Sequence, residues 1–289
     1  MILGMIGIIG IFGIYKTIDN MKKKILVTGT TGMLGSMVFN YLRRNPNFEV
    51  FSFNRGTSES VFLDKYDYCI NCVGVIKPFI KNETREEIMK AIEGNIWYPY
   101  ALAARLGIGK FISIATDCVF DGKTEWHYTE SSKHNAEDVY GKTKSLGEIK
   151  QDNWYNLRCS IIGPEAKEQK NSLLEWVLAQ NGDVKGFTDH KWNGITTLQF
   201  AKIIENIVEN DIELNHFQHI VPWGVVSKRK LLQIIKEEYD LDINVLPVES
   251  GAEINRVLGT NDEQANEKLW PDGNRLTIKE MVKELSEYI

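Results

Sequence analysis

Residues 22–36 read KKKILVTGTTGMLGS, and this stretch decides the fold. A short β-branched run, ILVT, ends at Gly29, and two further glycines follow at Gly32 and Gly35. The segment MLGSMVFNYLRR (33–44) then has apolar residues at helical spacing and ends in arginines before Asn45-Pro46. Strand, glycine turn and helix in immediate succession meet three needs of a bound pyrophosphate. The turn is tight, the backbone can approach closely, and a helix N-terminus points at negative charge. Gly29, Thr31, Gly32, Met33, Leu34 and Gly35 are the expected cradle of a dinucleotide.

Outward from this unit the chain alternates. EVFSF (49–53) reads as a second strand and DYCINCVGV (67–75) as a third. Residues 84–106 read as helix interrupted near Gly94 and Pro99, KFISIAT (110–116) as strand, and 137–150 as helix. Continuous apolar strands between helices predict a parallel sheet covered on both faces. Beyond about residue 160 the rhythm loosens. Helices are expected at 172–180, 197–209, SKRKLLQIIKEEY (227–239) and TIKEMVKELSEYI (277–289), the last two capped by Ser227 and Thr277, with strands at HIVPW (219–223) and INVLPVE (243–249). The expected fold class is α/β, a doubly wound Rossmann sheet with a smaller C-terminal α+β substrate lobe. The organisation is an extension (1–20), a dinucleotide-binding domain (21–160) and a mainly substrate-binding lobe (161–289). Ligands in such folds bind beyond the carboxyl ends of the strands.

Composition narrows the class. The 289 residues are 43% hydrophobic and 25% charged with a formal net charge of -5, which disfavours a nucleic-acid partner. The four cysteines, Cys69, Cys72, Cys118 and Cys159, are too few for a disulfide scaffold. Cys69 and Cys72 form C-x-x-C, but strand residues three apart point to opposite faces and no second ligand pair exists, so no metal site is expected. Residues 1–15, MILGMIGIIGIFGIY, are apolar but shorter than the roughly 20 residues that span a bilayer, and glycines interrupt them. They lack a basic start and a cleavage site. With Met21 just before the first strand, residues 1–20 are expected to be a non-essential extension, with a weak membrane anchor as the alternative, and the protein is expected in the cytoplasm without a membrane partner.

The second strand ends in Phe53-Asn54-Arg55, where an NAD enzyme usually carries an acidic residue for the ribose hydroxyls. Arginine suits a 2'-phosphate, so Asn54 and Arg55 point to NADP(H). Tyr140 and Lys144, in VYGKTKSLGE (139–148), form Y-x-x-x-K and share a helix face. An ammonium beside a phenol is expected to lower the tyrosine pKa toward neutrality, suiting proton donation to a carbonyl that accepts hydride. Thr116 ends its strand with a hydroxyl able to hold the same carbonyl.

The glycine spacing resembles that of extended short-chain dehydrogenases. ATDCVFDG (115–122), VYGKTKSLGE and WNGITTL (192–198) resemble the 4-dehydrorhamnose reductase family over about residues 22–289. The resemblance implies a nucleotide-4-keto-6-deoxyhexose substrate, NADPH as donor, and a homodimer. It places Cys72, Val73 and Gly74 along the nicotinamide ribose, Asn95 as a supporting active-site asparagine, and Lys77, Asp117 and Trp192 near the cofactor or sugar. Many of these reductases carry tyrosine where this chain has Cys118. Cysteine there resembles bifunctional epimerase/reductases such as GDP-fucose synthase and plant-type nucleotide-rhamnose synthases. On that reading Cys118 is a base at C3 or C5, and Lys185, or alternatively His190, is the opposite acid/base. The implied activity is 3,5-epimerisation and 4-keto reduction of a UDP sugar, or a dTDP sugar, to nucleotide-L-rhamnose. The alternatives are a 4-reductase only, or a non-catalytic binding subunit like the regulatory subunit of methionine adenosyltransferase.

Overall fold

The computed structural model describes residues 22–54, 56, 57, 64–105, 107–124, 126–166 and 171–289. The expected N-terminal extension lies outside the described residues, as does Arg55. The first half builds β1 (Lys23–Thr28), α1 (Met33–Leu42), β2 (Phe48–Phe53), β3 (Lys65–Asn71), α2 (Arg85–Ile92), α3 (Tyr98–Arg105), β4 (Gly107–Ala115), α4 (Val139–Leu146) and β5 (Trp154–Arg158). The second half adds β6 (Ile161–Ile162), α5 (Leu173–Leu178), β7 (Gly182–Phe187), β8 (His190–Trp192), β9 (Ile195–Thr196), α6 (Thr197–Glu209), β10 (Phe217–His219), β11 (Val226–Ser227), α7 (Lys228–Glu238), β12 (Ile243–Val248), β13 (Ile254–Asn255), α8 (Glu263–Leu269) and α9 (Ile278–Tyr288).

The main sheet runs β10-β5-β4-β3-β1-β2 with every pairing parallel. Its order reverses between β1 and β3, the place where doubly wound sheets open a crevice for ligands. The sheet is covered on both sides. Ile25, Val27 and Ile70 face one apolar cluster with α1 and α6, while Leu26, Cys69 and Phe111 face another. Cys72 packs at the margin of the first cluster and Cys69 lies in the second, so the C-x-x-C pair straddles the sheet. Burying an aliphatic side chain of this size contributes about 1.5–3 kcal/mol, so these two layers hold the strand ends rigid.

The chain does not divide cleanly near residue 160. β10 completes the edge of the main sheet and α6 packs on α1 before the chain leaves again. The last strand of that sheet is Phe217–His219 rather than HIVPW. Pro222 has no N–H to give a ladder, so pairing ends before it; Ile220 still donates its N–H to Arg158. The remaining lobe holds β7 beside β12, and β8 between β11 and β13. The predicted caps are present: Ser227 accepts from the N–H of Lys230, and Thr277 with Glu280 forms a capping box. Among the described residues no helix is long and apolar enough to cross a membrane.

Candidate active site

The cradle forms where β1 meets α1. Gly29 sits at φ +71°, the left-handed region, and a Cβ there would lie 3.1 Å from the Cys72 carbonyl carbon. A Cβ on Gly35 would lie 2.2 Å from the Gly29 oxygen, so only glycine lets α1 start this close to the turn. α1 has no side-chain cap and no acidic residue in its first turn, which leaves its N–H groups for an anion. Thr31 and Gly32 are exposed, Met33 is half-buried, and Leu34 is buried in the core. At the end of β2, Asn54 donates to the Thr30 hydroxyl at 2.6 Å, and its own carbonyl oxygen is buried without a partner. Beneath this, Thr28 donates to Asn71 at 2.8 Å and Asn71 donates to Ser113 at 3.1 Å, tying β1, β3 and β4 at their carboxyl ends. The N–H of Val73 bonds the same Asn71, which sets the path of Cys72, Val73 and Gly74. A glycine cradle, a free helix N-terminus and an unused acceptor at the β2 end fit a dinucleotide.

Across this cradle stand Thr116, Tyr140 and Lys144, the residues expected to carry the chemistry. Thr116 follows β4, accepts from the N–H of Cys118 and donates to Asp117. Tyr140 and Lys144 lie on α4, whose N-cap is Asp138. The Thr116 hydroxyl is in hydrogen-bonding reach of the Tyr140 phenol. Lys144, 9% exposed, donates to the Ile114 carbonyl at 2.8 Å, and its ammonium lies 3.9 Å from the point a Cβ on Gly74 would occupy. Thr116 thus reaches Tyr140, and Lys144, one turn further along α4, stands beside the segment expected to line the cofactor. One expectation is reversed. Burial, then the neighbouring Cys118, pushes the Tyr140 phenol well above its ordinary value, and the Thr116 hydroxyl only partly offsets this. Lys144 spends a hydrogen bond on Ile114, and burial pulls its own amine down. The phenol is held in its protonated form.

Asn95 sits in a π-helical turn, Glu93–Trp97, between α2 and α3, a rare geometry often found at functional sites. It is 3% exposed and bonds Val75 and Thr143. Lys77 pairs with Asp138 at 2.7 Å and its ammonium lies 5.9 Å from the Tyr140 ring centre. Burial raises the Asp138 carboxyl, but the Gly141 N–H and Lys77 hold it below the usual carboxylate range. A cavity of about 230 Å³ opens here, lined by Lys77, Ile80, Lys81, Glu83, Asp138 and Tyr140. Cys118 is half-buried; burial and Asp117 push its thiol up to about 12 against the pull of Lys77 and Arg256. The thiol is protonated at neutral pH, which opposes the thiolate-base role expected for it.

The second-lobe residues expected at the site stand in three different settings. Lys185 is exposed on β7; among the described residues no hydrogen bond or ion pair joins it to Thr116, Cys118 or Tyr140. His190 bonds Ser250 and stacks on Phe187. Trp192 is 4% exposed, donates to Ser160, and has the Lys228 ammonium 5.1 Å over its ring. Lys228 and Arg256, both overlooked in the sequence, act electrostatically on the Asp117–Cys118 corner. The available signal was the basic run Lys228-Arg229-Lys230 opening a helix, against the helix dipole.

A six-stranded parallel sheet with a glycine cradle where β1 meets α1 defines the Rossmann-like dinucleotide-binding class of fold. Within it, the family model described as RmlD substrate binding domain matches residues 22–258, and the chain belongs to that family. The spore coat polysaccharide biosynthesis protein SpsK of Bacillus subtilis is 24% identical over 251 residues, 78% of this chain and 82% of that protein. The probable low-salt glycan biosynthesis reductase Agl14 of Haloferax volcanii is 31% identical, over 56% of this chain and 57% of its own length. Methionine adenosyltransferase 2 subunit beta of Xenopus tropicalis is 30% identical, over 44% of this chain and 42% of its own. Among solved structures, a dTDP-4-dehydrorhamnose reductase from Bacillus anthracis in complex with NADP superposes with a TM-score of 0.77 at 18% identity, over 93% of this chain and all of that one. A dTDP-4-dehydrorhamnose reductase from Clostridium acetobutylicum gives a TM-score of 0.75 at 22% identity, over 92% and 99%. At these identities the structures establish the fold.

Proposed function

We propose that the protein is an NADPH-dependent sugar-nucleotide reductase that converts the 4-keto group of a nucleotide-linked 4-keto-6-deoxyhexose to an alcohol. The observation that carries this reading is the meeting of Thr116, Tyr140 and Lys144 beside the Gly29–Gly35 cradle. Bound NADPH supplies the hydride to C4. With substrate bound, the Thr116 hydroxyl turns its proton from Asp117 to the carbonyl oxygen, and Tyr140, kept protonated by burial, gives that oxygen its proton. Lys144 steadies the phenolate left behind and, beside Gly74, reaches the nicotinamide ribose. Arg55 is the expected partner of the 2'-phosphate, and the unpartnered side-chain oxygen of Asn54 can accept from a ribose hydroxyl. Intact proton-donor chemistry argues against a purely binding subunit, which has no use for it.

A bifunctional reading, with 3,5-epimerisation preceding reduction of a UDP sugar by a homodimer, rests on Cys118. Its main-chain N–H donates to the Thr116 hydroxyl, so the thiol adjoins the group that would hold C4. With its pKa pushed up to about 12, the thiol would serve as the acid that returns a proton to C3 or C5 after a base on the opposite face of the sugar has removed one to form the enolate. One experiment separates the readings. The enzyme is incubated with dTDP- and UDP-4-keto-6-deoxyglucose and NADPH in deuterated water, and the product is identified by NMR. Reduction with deuterium at C3 and C5 supports bifunctionality. Reduction without exchange leaves a plain 4-reductase, and no NADPH oxidation with either substrate or its 3,5-epimer overturns the proposal.

A further inference from the structure

α7 opens with three cations, Lys228, Arg229 and Lys230, and has no acidic residue in its first turn. Partial positive charge at a helix N-terminus disfavours such a run, and local rules of this kind are usually broken at functional places. The three diverge. Lys230 is exposed, whereas the main chain of Arg229 packs against Gly186. The Lys228 ammonium lies 5.1 Å over the Trp192 ring, and Asp117, Cys118 and Arg256 act on it electrostatically.

Its neighbours are committed. Lys77 is neutralised by Asp138. Asp117 accepts from Thr116. Arg256 spends its guanidinium on the carbonyls of Phe120, at 2.8 Å, and Asp121, at 3.3 Å. Among the described residues, the Lys228 ammonium has no hydrogen bond and no ion pair within bonding distance, only the Trp192 ring. Asp117 is then one negative charge against Lys228 and Arg256, so this corner holds one positive charge in excess on a chain of net charge -5. Confined cations of one sign attract an anionic ligand and raise its local concentration.

We propose that Lys228 contacts the substrate directly, its ammonium donating to oxygen atoms of an anionic sugar nucleotide whose carbonyl is held from the other lobe by Thr116 and Tyr140. The inference rests on the reductase reading and deepens it by assigning the second-lobe contact to Lys228 rather than Lys185. Trp192 is the support of that lysine and not itself a stacking surface for the sugar.

The test compares the full chain with K228M, K228R and K185Q. Methionine keeps an unbranched apolar side chain of similar reach beside Trp192 and removes the charge. Calorimetric titration of the NADP-loaded proteins with dTDP-glucose and UDP-glucose is paired with steady-state reduction kinetics on the 4-keto sugar nucleotide. For K228M, sugar-nucleotide binding should weaken at least tenfold and KM rise in step. NADPH affinity, which reports folding, should stay within twofold. K228R should recover part of the loss, and K185Q should match wild type. If K228M binds and turns over like wild type, the Lys228 assignment is overturned while the reductase reading stands. A wild-type protein that neither binds these sugar nucleotides nor oxidises NADPH overturns the reading itself. If K185Q and not K228M carries the loss, the second-lobe contact belongs to β7.

Discussion

Asn95 engages both polar groups of Val75: its Oδ1 accepts from the Val75 N–H at 2.8 Å and its Nδ2 donates to the Val75 carbonyl at 3.0 Å. The same Nδ2 reaches Thr143 at 3.0 Å, one residue before Lys144. One buried amide thus ties the cofactor-side segment after β3 to the catalytic helix. Leaving a buried partner unsatisfied costs about 1–3 kcal/mol. Asn95→Ala should therefore lose about 2 kcal/mol or more, seen as a fall of several degrees in melting temperature. kcat should fall further than this destabilisation explains, because α4 is released. Wild-type kcat in Asn95→Ala would mean that the tie is structural only.

Tyr140→Phe removes the proton that burial retains on the phenol. Groups of this kind typically contribute about 10² to 10⁴ in rate, so reduction should fall by that order while NADPH affinity stays nearly unchanged. Lys144→Ala should damage both, since its ammonium lies beside Gly74. Stopped-flow turnover and NADPH fluorescence titration separate the two outcomes.

Gly35→Ala would place a methyl group 2.2 Å from the Gly29 oxygen and 3.0 Å from the Thr30 nitrogen. Both are backbone atoms and cannot swing aside, so the turn must open. NADPH affinity should weaken at least tenfold, measured by fluorescence titration, while far-UV circular dichroism remains that of wild type.

His219 is fully buried and bonds the Gly259 carbonyl through Nδ1 and Arg158 through Nε2. A carbonyl only accepts and a guanidinium only donates, so the imidazole is neutral with its proton on Nδ1. Burial first, then Arg158, lowers its pKa to about 4, against the opposing pull of Glu130. The folded pKa lies below the unfolded 6.5, so the unfolded chain takes up the proton first as pH falls. Stability should be fully present above about pH 6.5 and decline toward pH 4, by up to about 3 kcal/mol. Denaturant unfolding at pH 7 and pH 4.5 tests this, and His219→Gln should flatten the slope.

Much of this site was legible because its signals are short-range. Gly29 and Gly35 lie within one turn of α1, and Tyr140 and Lys144 within one turn of α4, so strand, turn and helix chemistry alone brings each pair together. Ser227 and Thr277 cap their helices through N–H groups three residues away, and for the same reason both were readable. HIVPW failed as a strand because its apolar pattern outweighed Pro222, whose missing N–H ends the ladder in space.

By itself, then, the order of residues determined the parallel sheet, the glycine cradle and the Tyr-Lys pair, since each depends on neighbours within a helical turn or a strand. Only the tertiary structure decided the charge state of Tyr140 and Cys118, because desolvation depends on what distant segments cover them. It also decided that Asn95 holds Val75 and that Lys228, rather than Lys185, is the second-lobe lysine in electrostatic contact with Asp117 and Cys118. Those contacts join residues 20 positions apart in one case and elements of different lobes in the other. No local periodicity encodes such separations; they exist only once β8, α7 and the loop after β4 are packed against one another.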